Sequence, residues 1–235
     1  KTAGKSYKDI DWSKAKIVTN ISLLSKDIAS KIDYSKVDFN KFDIYNLDNI
    51  NDINFASLGK NYKKFKWDQI DYSKLNNASK EAIDWTKINF KKAIQSDTFD
   101  ISIVDWSELN QSKAAAKSYK AIDWAKVSIS SDVSVQLDYS KVDFQKFSPL
   151  SLKDINDLNF STLGKNYKKL KWEEIDYSKL NNTSKEAIDW AKVNYKKASK
   201  SDSFNLDIVD WEELNSSKTA GKSYKDIDWS KAKIV

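Results

Sequence analysis

The chain has 235 residues, 40% of them hydrophobic and 13% aromatic, with nine Trp, a composition that supports a folded core and lies far from the apolar-poor signature of disorder. It contains no Cys, His, Met or Arg, which removes the thiolate nucleophile, the imidazole base, the usual zinc ligands and the planar guanidinium that clamps phosphate or reads guanine. Forty Lys stand against 34 acidic residues for a net charge of +6, a spread excess that disfavours nucleic acid as a partner and admits an anionic polymer.

Repetition is the first signal along the chain. Residues 1–18, KTAGKSYKDIDWSKAKIV, recur letter for letter at 218–235, the mark of a tandem array whose units cover one another's apolar faces. The lack of Met is read as the sign of an excerpt or a processed product. No run of about 18 apolar residues could span a membrane, and no signal peptide opens the chain; targeting signals are expected outside it.

Residues 1–32 read as the end of a preceding copy plus a longer loop. The stretch 13–32 exceeds its counterpart, 125–137, by seven residues, and loops absorb such length changes most easily. A shift of 105 residues places 33–127 on 138–232 with roughly two-thirds of positions identical. This defines a first copy over 33–137 and a second over 138–235. Apolar positions that differ mostly stay apolar, as at Ile53 and Leu158, Phe65 and Leu170, or Ile88 and Val193, which is what burial requires.

A five-residue word recurs inside each copy: an aliphatic residue, Asp or Asn, an aromatic, then two mostly polar residues. It appears as IDWSK at 10–14, IDYSK at 32–36, VDFNK at 37–41, FDIYN at 42–46, IDWTK at 83–87, INFKK at 88–92, VDWSE at 104–108 and IDWAK at 122–126. On an extended backbone the aliphatic and aromatic residues, at i and i+2, share one face, and both types favour strands. The word resembles that of the pentapeptide-repeat family, as found in very long secreted bacterial surface repeat proteins. The resemblance implies a right-handed quadrilateral β-helix.

Between the pentads the pattern changes. SLGKNYKKFKW at 57–67 spaces Leu58, Tyr62 and Phe65 as a helical face, and SKAAAKSYKAI at 112–122 is rich in helix formers. Asp105 and Asp210 precede Glu108 and Glu213 by three residues, the spacing of a capping box. The expected fold is a repeat solenoid with β-solenoid-like pentad runs and short helical insertions; the alternative is an α-solenoid of short helices.

Trp in the pentad slot alternates with Tyr and Phe, the behaviour of a core position. Trp67 and Trp172 lie outside that slot and are the candidates for exposed, sugar-stacking platforms. Lys60, Lys63, Lys64 and Lys66, with Lys165, Lys168, Lys169 and Lys171 in the second copy, are the densest basic patches. Of these, Lys63, Lys64, Lys168 and Lys169 are the candidate surface-binding cations. Asp97, Asp100 and Asp105 lack the Gly-punctuated spacing of calcium loops, so no metal, cofactor or catalytic residue is assigned. Equivalent acids at every unit do not make the single asymmetric pocket that catalysis needs. The expected role is that of a structural extracellular or cell-surface protein forming a rod, fibre, sheath or surface layer by unit stacking and self-association. The alternative is an adhesin-type binding module that holds a glycan or anionic polymer through Trp platforms and Lys patches.

Overall fold

The computed structural model describes Asp9 and residues 30–40 and 49–230. The stretch 1–18 apart from Asp9, residues 13–29 of the expected longer loop and the pentad at 42–46 lie outside the described residues. The chain divides into two compact units, Lys1–Asp123 and Trp124–Val235. This cut falls before residue 137, where the copies were separated by alignment. A tandem repeat has no intrinsic phase, so alignment alone can start a copy at any coil.

Among the described residues there is no strand, and every regular element is a short helix. The α-helices reach at most seven residues, in Ala115–Ala121 and Ala220–Asp226. The 3-10 helices run from three residues, as in Tyr34–Lys36, to five, as in Gly59–Lys63. The β-solenoid expected from the pentads is therefore incorrect. The quadrilateral β-helix implied by the pentapeptide-repeat resemblance and the filament of β-coils fall with it. The α-solenoid alternative is met only weakly, because helices of one or two turns are shorter than the paired helices of such repeats.

The second pentad residue explains why the word turns instead of extending. Asp33 Oδ1 accepts from the Ser35 backbone N–H at 3.1 Å and from Ser35 Oγ at 2.6 Å, and Lys36 Nζ reaches Asp33 Oδ2 at 2.7 Å. The same three-point clamp closes on Asp71 with Ser73 and Lys74, and on Asp176 with Ser178 and Lys179. Asp or Asn thus competes for the backbone and nucleates a 3-10 turn. The aromatic residue becomes the first residue of that turn, and the next aliphatic residue, such as Val37 at ψ 140°, is its extended C-cap. Aliphatic and aromatic positions are both buried, as at Ile70 and Tyr72 or Ile83 and Trp85. The shared face inferred from the sequence exists, produced by a turn and not by a strand.

Each unit is held together by hydrogen bonds between residues 22 to 29 positions apart, which sets the size of a coil. Buried Asn61 donates through Nδ2 to the carbonyls of Tyr34 at 2.6 Å and Val37 at 2.9 Å, and Asn166 does the same to Tyr139 and Val142. Tyr62 Oη accepts from the Asp84 N–H at 2.7 Å and donates to the Phe55 carbonyl. Ser96 and Ser201 reach the carbonyls of Ile70 and Ile175. These bonds satisfy backbone groups that a sheet would otherwise pair. Gly59 and Gly164 adopt φ of 50° and 49°, and a Cβ on either would stand 2.9 Å from the Cβ of Ser35 or Ser140. Gly is required at both places for conformation and for closeness between coils.

Candidate anion-binding groove

The structure overturns the expectation that Trp67 and Trp172 are platforms. Both are fully buried. Their indole N–H groups donate to the carbonyls of Tyr62 and Tyr167 at 2.9 and 3.0 Å. Trp67 packs 4.5 Å from the Phe65 ring and 5.6 Å from that of Tyr62. The helical face of Leu58, Tyr62 and Phe65 is buried as well, so the segment carries Trp67 into the core. The pentad Trp residues Trp85, Trp106, Trp124 and Trp190 are also buried.

Lys63, Lys64, Lys168 and Lys169 are exposed. Lys63, unlike Lys64, lines a groove of about 880 Å³ in the first unit. Three segments form it. Gly59–Lys63 supplies Lys60 and Lys63, the stretch 86–91 supplies Lys87 and Lys91, and Ala115–Ala121 supplies Lys117. All five lysines are exposed, and no acidic residue lines the groove. Buried Ile88 and Phe90, with Ala114 and Ala121, give it an apolar floor.

Only one of these cations is neutralised by an ion pair within the described residues. Lys87 pairs with Asp84, which also accepts from Thr86 N–H and Oγ1, and its ammonium lies 5.8 Å from the centre of the Tyr62 ring. Burial pushes the Asp84 carboxyl up, but the hydrogen bonds from Lys87 and Thr86 prevail and hold it below the usual range. Lys60, Lys63, Lys91 and Lys117 are left to make a positive field over a low-dielectric floor, an arrangement that concentrates anions.

Asp100 and Asp105, weighed above as calcium candidates, serve as helix caps: Asp100 accepts from the Ser102 N–H and Asp105 from the Glu108 N–H. The capping spacing at Asp210 works in one direction. Asp210 accepts from the Glu213 N–H, but the Glu213 carboxylate accepts from the Trp190 N–H at 3.0 Å, 23 residues away, so it links coils. Neither a protein-family model, a curated protein sequence nor a solved structure matches this chain.

Sequence reasoning found Lys60 and Lys63 by their local density and missed Lys87, Lys91 and Lys117 as partners in the groove. The signal was the coil period, intermediate between the pentad and the 105-residue copy. Lys63 and Lys87 are separated by 24 positions, within the span of the coil-to-coil hydrogen bonds.

Proposed function

We propose that this chain is a structural repeat protein of the cell surface or the extracellular space, with no catalytic role, contributing to a sheath or layer through stacked copies that associate with one another. What supports this reading is repetition of the coil-joining bonds, Asn61 and Asn166 each donating to two carbonyls of a neighbouring coil, together with an exposed apolar patch. Tyr119 and Trp124 are buried, whereas Tyr224 and Trp229, 105 positions on, are 37% and 48% exposed. Trp124 packs 6.4 Å from the ring of Phe147. Tyr224 and Trp229, whose rings stack 5.7 Å apart, form an exposed apolar patch of the second unit that a second copy of the chain can cover.

Sedimentation velocity over a concentration series tests this. The chain is expected to associate as its concentration rises, and Trp229→Lys to keep it monomeric by placing a charge on that face. A natural chain that stays monomeric at every concentration, or a variant that associates equally well, would refute the role. The glycan-stacking form of the binding-module reading loses its support with the burial of Trp67 and Trp172.

A further inference from the structure

We propose that the lysine groove of the first unit is a binding site for an acidic polysaccharide, whose carboxylate or sulfate groups are held by Lys60, Lys63, Lys91 and Lys117. The groove belongs to the first unit, and the exposed residues Tyr224 and Trp229 belong to the second.

The ligand class follows from four features of the groove. Its cations come from three segments at increasing separation along the chain, and its volume of about 880 Å³ is more than one small anion fills, so the matching ligand is an extended polyanion. The cations are all Lys, each a compact charge on a flexible stem, which tolerates irregular spacing of ligand charges and imposes no bidentate geometry. The floor is apolar, and its accessible part is half-buried Ala114 and Ala121 over buried Ile88 and Phe90, a surface for the C–H faces of sugar rings. No aromatic face is presented for stacking: Tyr62 and Phe90, the rings that line the groove, are 2% and 1% exposed. Single-stranded nucleic acid depends on such stacking, and duplex readout depends chiefly on Arg, which this chain does not contain.

The second copy supplies an internal control. Lys165, Lys168, Lys196 and Lys222 repeat the four unpaired lysines. Ala121, however, is replaced by Asp226, and Ala114 by Thr219, whose hydroxyl donates to the Ala191 carbonyl at 2.9 Å. The same cations are thus accompanied by a carboxylate that opposes an anionic ligand. The first unit should be the stronger binder.

The test is titration of the full chain with heparin as the sulfated probe, alginate as the carboxylated probe and oligothymidine as the nucleic-acid comparison, at several salt concentrations. Polysaccharide binding should weaken as salt rises. The combined variant Lys63→Gln, Lys91→Gln, Lys117→Gln should bind about tenfold more weakly at low salt, with a flatter salt dependence. Ala121→Asp should also weaken binding, and Lys64→Gln, outside the groove, should change it by less than about twofold. Binding of either polysaccharide supports the site, and the one that binds identifies whether it takes sulfate or carboxylate. In the natural chain, bound polysaccharide should shield Lys63, Lys91 and Lys117 from acetylation more than Lys64, a readout that does not depend on the folding of any variant. Absence of polysaccharide binding, equal effects at Lys64 and in the groove, or oligothymidine binding as tightly as the polysaccharides would overturn the proposal.

Discussion

Trp124 and Trp229 occupy the same place in the repeat within nearly identical sequence, IDWAK and IDWSK, yet the first is 2% exposed and the second 48%. Their immediate surroundings do not account for this. At the exposed site Asp228 clamps the Ser230 N–H and hydroxyl, and the Trp229 indole donates to the Tyr224 carbonyl at 2.8 Å, as the buried Trp85 and Trp190 indoles do to those of Lys80 and Lys185. The turn is written within a few residues and forms where solvent reaches it. Burial is supplied by the neighbouring coil, which at Trp124 brings Phe147. Local conformation and core formation are thus separable in this protein, as expected of a chain whose units gain stability from nearest-neighbour contacts.

The largest effect that would break the comparison is to charge the interior. Burial pushes the Tyr62, Tyr139 and Tyr167 phenols up to about 12 and raises those of Tyr177 and Tyr195 as well. With folded values above the ordinary 10.0, the folded state holds its phenolic protons where the unfolded chain has lost them. The stability so gained is complete below pH 10 and is lost progressively as pH rises through the folded values. Circular dichroism and phenolate absorbance should therefore change together in one cooperative alkaline transition. Phenolate appearing in full while the helical signal persists would show that these tyrosines do not hold the coils.

A smaller effect separates interior from edge directly. Trp85→Ala and Trp190→Ala should each lower stability by about 3–5 kcal/mol through the cavities they leave, whereas Trp229→Ala should lower it by less than about 1 kcal/mol. Urea midpoints at a concentration low enough to keep the chain monomeric provide the comparison. Equal losses at all three sites would mean that exposure does not distinguish them.

The smallest effect sharpens the account of how coils are joined. Asn61→Ala and Asn166→Ala remove the buried amides that satisfy two carbonyls of the neighbouring coil each, and each should lower stability by about 1–3 kcal/mol. Urea midpoints unchanged in both variants would mean that these carbonyls find other partners and that apolar packing alone sets the coil register.

Much of the core was legible in the sequence. The exchange of Trp, Tyr and Phe in one slot marked that slot as buried, and the conversion of Phe65 to Leu170 marked a second buried position. The strand expectation fails because period-two burial does not require extended backbone. One extended residue followed by a 3-10 turn buries the same two side chains, and strand-favouring aliphatic and aromatic residues are equally at home there. The competing signal is the Ser or Thr and the Lys that follow Asp33, Asp71, Asp84, Asp138 and Asp176, which together complete the clamp. Of the candidate site, Lys60 and Lys63 were visible as a local cluster. Trp67 is buried although it lies outside the pentad slot, because the helical segment it follows has a buried face of its own.

The sequence by itself determined the repeat, most of the buried pentad positions and the chemistry that the absence of Cys, His and Arg excludes, because these depend on residue identity and on spacing of a few positions. It also held the turn clamps, since Asp, Ser and Lys meet within four residues. Only the tertiary structure decided which coil lies against which, and with it the burial of Trp67, the contrast between Trp124 and Trp229, and the convergence of Lys63, Lys87, Lys91 and Lys117 on one groove. Those outcomes depend on coil-to-coil register, which is fixed by hydrogen bonds spanning 22 to 29 residues and by packing that no local pattern encodes.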